Sequence, residues 1–141
     1  LEVRSLGMEP GVFSARYAND EGYDCNDLAN TEKLLRKMEH IKERYAQFRT
    51  VVCLLLDGAE YIFEGICKGK ITTVRSGNGG FGYDPVFSPE GHDVTFADMP
   101  LDFKNSMSHR ARAVSKRLCL LLKFRSQFVQ SQMYCYNTSQ I

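Results

Sequence analysis

The run from Gln47 to Leu56, followed by Asp57-Gly58 and then Tyr61-Ile62-Phe63-Glu64-Gly65-Ile66, constrains the fold more than any other stretch. Its β-branched and large apolar residues suit a pleated, half-buried surface. Asp-Gly between two such runs is a strong two-residue hairpin signal. The chain is therefore expected to build an antiparallel pair at its centre, with Gly69 to Val74 as a further extended segment. Helical periodicity flanks that pair. From Asp27 to Ile41, Leu28, Leu35 and Met38 recur at helical spacing with Lys and Glu on the other side, which predicts an amphipathic helix. A last helix is predicted from Ser108 to Phe124, with Ser108 as its N-cap and Met107, Ala111, Val114, Leu118 and Leu121 on one stripe. Pro10-Gly11 marks a turn, and Val12 to Tyr17 reads as short and extended. Pro85 to Gly91 reads as irregular, because two prolines and a glycine break a ladder. The order is mixed α/β without internal repeats, not a run of βαβ units.

At 141 residues the chain is one domain or part of one. A formal net charge of +1 gives no broad basic field, which argues against non-specific binding of nucleic acid or of a membrane surface. The longest apolar run, Val51 to Leu56, is strand-length, far short of the roughly 18 residues that a membrane span needs. Cys25, Cys53, Cys67, Cys119 and Cys135 are odd in number, scattered and without a C-x-x-C pair. That pattern points to reduced thiols and a cytoplasmic location rather than zinc or a disulfide framework. Leu1-Glu2-Val3 has no cap or turn ahead of it and reads as a chain cut inside a fold. Phe128 to Ile141 is polar, Gln/Ser-rich and aperiodic, and is expected to fray.

Two segments carry ligand chemistry. Ser76-Gly77-Asn78-Gly79-Gly80-Phe81-Gly82-Tyr83-Asp84-Pro85 surrounds one aromatic with glycines and ends on a carboxylate. Glycine lets backbone N–H groups and a flat ring approach a ligand without obstruction by a Cβ. Core packing is the ordinary role of an aromatic residue, but Phe81 between Gly80 and Gly82 has poor neighbours for a core and good clearance for a stacked base. Such a stack is worth roughly 1–3 kcal/mol. Tyr83 is open to either role, stacking or closing the loop against the sheet. The loop is not a phosphate-binding P-loop, since it lacks the Lys-Ser/Thr ending. The second segment, Lys104-Asn105-Ser106-Met107-Ser108-His109-Arg110, places His109 and Arg110 in the first turn of the last helix. Cations are disfavoured there by the helix dipole. They are expected either to pair with a carboxylate such as Asp84 or Asp98, or to donate to carbonyl or phosphate oxygens of a ligand. Phe81, Asp84, Lys104, His109 and Arg110 are therefore expected to line one cleft for something planar, polar and anionic.

With these blocks in order, the chain resembles the inosine/xanthosine triphosphate pyrophosphatase family. The likeness is carried by Pro10-Gly11-Val12-Phe13-Ser14-Ala15-Arg16-Tyr17-Ala18, by Gly79 to Phe87, by Thr95-Phe96-Ala97-Asp98-Met99 with Asp for the usual Glu, and by Lys104-Asn105 with Ser108-His109-Arg110. The resemblance implies an elongated, twisted mixed sheet with flanking helices, part of a two-lobed fold, with residues 1–127 as its carboxy-terminal portion. It implies hydrolysis of non-standard purine nucleoside triphosphates to the monophosphate and pyrophosphate with Mg²⁺, in a homodimer without nucleic-acid or membrane partners. By position, Phe81, Gly82, Tyr83 and Asp84 match the base-binding loop, Lys104 the phosphate-contacting lysine, and His109 and Arg110 the pair that reads the purine. The family's lysine-bearing phosphate loop and its Asp-Asp-Ser-Gly block, which supply metal ligands and the general base, have no counterpart in these residues. The chain by itself is accordingly expected to turn over little. Two other readings stay open: an inactive purine-nucleotide-binding module, and a nucleic-acid-binding helix built on Arg110, Arg112, Lys116, Arg117 and Lys123, against which the low net charge argues.

Overall fold

The computed structural model describes residues 1–122. Its sheet has four strands in the order β1 (Glu2–Val3), β2 (Tyr45–Leu56), β3 (Ala59–Ile71) and β4 (Phe87–Pro89), and every pair in it is antiparallel. Helix α1 (Asp27–Lys37) lies between β1 and β2 in the chain, and α2 (Leu101–Met107) follows β4. A further helix, α3, runs over residues 109–122. The mixed α/β class expected from the sequence is what the described residues show. No described helix is long and apolar enough to cross a membrane. The expected tail, residues 128–141, and the end of the last helix at 123–124 lie outside the described residues.

The hairpin forms where its pattern places it, with Leu56 opposite Ala59 across Asp57-Gly58. It is longer than expected: the two segments read apart, Tyr61–Ile66 and Gly69–Val74, belong to one strand, β3. On β2 and β3 the side chains alternate. Ala46, Phe48, Cys67 and Ile71 join the core, while Val51, Leu55 and Ile62 are exposed toward the hairpin tip. The core centres on Phe87, Phe96, Leu34, Met38, Ile71 and Val3, all nearly or fully inaccessible. Phe48, Phe87 and Phe96 meet with ring centroids 4.5, 6.1 and 5.2 Å apart, the spacing at which aromatic pairs add to area burial.

Four local expectations are corrected. Gly11–Arg16 is a 3-10 helix, not an extended segment. The hydroxyl of Ser14 donates to the Gly11 carbonyl and accepts from the Leu1 amino group, and Val12 and Phe13 point outward with no strand to pair with. Pro85–Gly91 is ordered rather than irregular: Asp84–Val86 is a 3-10 turn and Phe87–Pro89 an edge strand, where a missing ladder donor is tolerated. Leu28 is half exposed and the buried stripe of α1 runs through Leu34 and Met38, with Asn30, Thr31 and Lys33 also buried. The last helix is preceded by a separate seven-residue helix, α2, and its buried centre is Ala113 rather than Val114 or Leu118.

Ala113 is central because of Gly65. A Cβ on Gly65 would fall 1.9 Å from the His109 carbonyl oxygen and 2.5 Å from the Ala113 nitrogen, so α3 lies backbone-to-backbone on β3. Gly65→Ala should therefore lower stability by about 1–3 kcal/mol, the range for overpacked interiors. Urea unfolding of the two proteins measures it, and equal midpoints would contradict the close docking.

Candidate functional site

Ser108 caps α3 as the sequence leads one to expect: its Oγ accepts from the Ala111 amide at 3.2 Å, and its carbonyl accepts from Arg112. That cap and the Gly65 contact fix the first turn of α3, and with it His109 and Arg110. The glycine loop is fixed from the other side. Asp84, only 4% exposed, accepts from the Phe81 amide at 2.8 Å and from the Lys104 ammonium at 2.5 Å. Gly80 permits this, since a Cβ there would fall 2.3 Å from the Asp84 Oδ2. Tyr83 is buried and donates its hydroxyl to the Ser14 carbonyl at 2.8 Å, so it closes the loop against the 3-10 helix. Burial raises its phenol above the ordinary range.

These elements surround a cleft of about 840 Å³. Phe81, Gly82, Tyr83, Asp84, Lys104, His109 and Arg110 all line it, although twenty positions separate Asp84 from Lys104. Phe81 is 56% exposed, too open for a core residue. The Arg110 guanidinium lies 4.6 Å from its ring centroid and the Lys104 ammonium 5.3 Å, within cation–π reach.

The expected cation–carboxylate pairing falls on a different residue. Lys104 takes Asp84, and both side chains are largely buried. Asp98 accepts from the hydroxyls of Ser76 and Thr95 instead. Arg110 has no carboxylate partner among the described residues and remains a free cation beside an open ring. His109 is not the cation that its position suggested. Its ring stacks on Phe48 at 4.8 Å and 15°, its Nδ1 is buried without a partner, and its pKa is lowered to about 4. Desolvation is the main cause, with the charges of Arg110 and Lys104 adding to it. At neutral pH the imidazole is uncharged, with one donor and one acceptor nitrogen.

Several lining residues escaped the sequence reading. Asp27 accepts the Gly82 amide on Oδ2 at 2.8 Å, Phe48 forms the floor beneath His109, and Ser14 and Ala15 lie along one wall. The missed signal lies in α1, where Asp27, Asn30 and Thr31 are polar at i, i+3 and i+4, on the face turned inward. Asn30 holds the 3-10 segment through the Ala18 amide and the Ala15 carbonyl. Buried Lys33, expected on the solvent side, donates to the Tyr17 carbonyl and to Asp20. Among the described residues no three His, Cys, Asp or Glu side chains gather as a metal site, and the Asp84 carboxylate is already engaged. Asp27 and Asp84 are the carboxylates that line the cleft among the described residues, too few by themselves to enclose a metal.

The Ham1 family model matches residues 1–119. The chain is 50% identical over 121 residues to the dITP/XTP pyrophosphatase of Flavobacterium johnsoniae, an alignment covering 86% of this chain and 62% of that protein. It is 47% identical over 123 residues to the dITP/XTP pyrophosphatase of Christiangramia forsetii, covering 87% and 63%. The solved structure of the Staphylococcus aureus Ham1 protein superimposes with a TM-score of 0.81 at 38% identity, over 86% of this chain and 62% of that one. A HAM1 protein from Coxiella burnetii gives 0.80 at 33% identity, over 86% and 63%. The chain thus spans about three fifths of the length of the relatives it matches.

His109 makes the cleft sensitive to acid. Its folded pKa is about 4 against an ordinary 6.5, so between those values the unfolded chain holds more protons. Stability is complete above the unfolded value and falls as the pH drops toward the folded one. His109→Phe keeps a ring against Phe48 but cannot be protonated. Between neutral pH and about pH 4.5 it should lose less stability than the unaltered protein. Urea unfolding at both pH values checks this, and parallel losses would contradict it.

Proposed function

The chain belongs to the Ham1 family, and from that premise we propose that its cleft holds the base of a non-standard purine nucleoside triphosphate. The whole protein then hydrolyses inosine, deoxyinosine or xanthosine triphosphate to the monophosphate and pyrophosphate, removing it from the nucleotide pool. The single observation that carries this reading is the pairing of exposed Phe81 with Arg110, a cation with no carboxylate partner among the described residues. The relatives named dITP/XTP pyrophosphatases support it.

The geometry supports the following roles. Phe81 offers a ring face to the purine. Arg110 donates to the 6-oxo group, an acceptor in hypoxanthine and xanthine that adenine replaces with an amino group. A site built to hydrogen-bond one group rejects a ligand that lacks it. Neutral His109, at the same helix end, can donate or accept at the base edge. Gly82 keeps a Cβ away from the base, and Tyr83 and Asp84 act through the loop they shape. Lys104 lies between Phe81 and Asp84, where a phosphate could share its ammonium.

The reaction breaks the anhydride bond between the α- and β-phosphates, with water supplying the oxygen that joins the monophosphate. Mg²⁺ ligands and the general base are assigned to the part of the relatives' length that this chain does not span. Two further elements belong to the same proposal. Exposed Val51, Leu55 and Ile62 on one face of the hairpin favour a homodimer. Free thiols at Cys25, Cys53, Cys67 and Cys119 favour the cytoplasm.

The test is pyrophosphate release by the whole protein with inosine or adenosine triphosphate. Arg110→Ala should lower kcat/KM for inosine triphosphate ten- to a hundredfold, as for the loss of one charge-assisted bond of about 1.5–3 kcal/mol, and should narrow its lead over adenosine triphosphate. Equal losses on both substrates would contradict a role at the purine oxygen.

A further inference from the structure

The peptide between Phe81 and Gly82 is held at both ends, at one by its own loop and at the other by α1. Its carbonyl accepts from the Asp84 amide at 3.2 Å, and its N–H donates to the Asp27 Oδ2 at 2.8 Å. The next carbonyl, that of Gly82, accepts from the Thr31 hydroxyl at 3.3 Å, which also donates to the Asp27 carbonyl at 2.7 Å. Thr31 is 1% exposed, so its position is set by packing. Asp27 and Thr31 come from the first turns of α1, more than fifty positions before the loop.

Helix capping does not explain Asp27. Asn26 already caps α1, with its side chain accepting from the Ala29 amide at 3.0 Å. Nor does Asp27 form an ion pair with any described residue. Its defined contact is the Gly82 amide, and it lines the cleft. A carboxylate accepting a backbone N–H is among the stronger hydrogen bonds available to a surface loop. The loop has need of it. Gly80 and Gly82 flank Phe81 at φ +78° and +59°, so the setting of the ring depends on the hydrogen bonds that Asp84 and Asp27 make to its two neighbouring peptides.

We infer that Asp27 is a positioning residue for base recognition: through the Gly82 amide it sets the plane of the peptide that carries the Phe81 ring, and Thr31 locks the next peptide. This deepens the assignment of the cleft to a purine base and rests on it. Asp27 touches neither base nor phosphate in this role, so its effect is confined to ligands whose ring stacks well. A purine, with the larger face, depends on the aligned ring more than a pyrimidine does.

Binding of inosine triphosphate and of uridine triphosphate by calorimetry separates the possibilities, with Asp27→Ala, Asp27→Asn and the unaltered protein side by side. Asp27→Ala should bind inosine triphosphate about tenfold more weakly, near the lower end of what stacking contributes, and uridine triphosphate within about twofold of the unaltered protein. Asp27→Asn keeps an oxygen that can accept the Gly82 amide and should recover most of the purine affinity. The Gly82 amide resonance should move in the Ala variant and remain near its original shift in the Asn variant. Unchanged inosine triphosphate affinity in Asp27→Ala would overturn the inference, as would equal weakening of both nucleotides. An unaltered protein with no preference for inosine over uridine triphosphate would overturn the purine reading itself, which the Gly82 shift distinguishes from failure of the clamp.

Discussion

The Asp84 carboxylate is the interaction on which the rest of the cleft depends. It is almost inaccessible, and a buried charge of this kind is tolerated only when paired and hydrogen-bonded. Its two partners come from opposite directions. The Phe81 amide curls the glycine loop back on itself, and the Lys104 ammonium draws α2 against that loop. Removing either partner strands the carboxylate. One charge thus joins the loop to the helical region that leads into α3, and Gly80 leaves the room for that contact.

Around this centre the remaining parts adjust the chemistry of the cleft. Docking of α3 on Gly65 brings His109 over the aromatic cluster of Phe48, Phe87 and Phe96. There, desolvation and two neighbouring cations keep its imidazole neutral. Because Lys104 is paired with Asp84 and His109 carries no charge, Arg110 is, of these three, the cation left without a carboxylate partner among the described residues. The inner face of α1 completes the arrangement. Asn30 braces the 3-10 segment, Lys33 braces Tyr17, and Asp27 with Thr31 braces Gly82. The first turns of α1 have a polar inner face because loops with unsatisfied backbone groups lie against them, whereas Leu34 and Met38 farther along join the apolar core.

Much of this was legible because it is local. Asp57-Gly58 between two apolar runs marks a hairpin whatever surrounds it, and Ser108 before His109 marks a helix start. The glycine loop and the Lys104–Arg110 cluster carried enough unusual chemistry to suggest a shared cleft. What was not legible depends on contacts between distant residues. Nothing near Gly65 in the chain says that α3 will lie on it, and nothing near Lys33 says that it turns inward to Tyr17 and Asp20. The charge state of His109 follows from Phe48, sixty-one positions away by numbering. Val12 to Tyr17 was misjudged because β-branched and aromatic residues favour strands only where a partner strand exists. Here the Ser14 hydroxyl instead bonds the Gly11 carbonyl within a 3-10 turn.

The most direct test of the central claim is a double-mutant cycle on Asp84→Asn and Lys104→Met, with unfolding free energies measured for both single variants and the pair. If the buried pair organises the cleft, each single change strands a polar partner and the double change relieves part of that cost. The coupling should then exceed about 1 kcal/mol, within the 0.5–3 kcal/mol range for residues in one network. Additivity to within about 0.5 kcal/mol, as for independent sites, would contradict it.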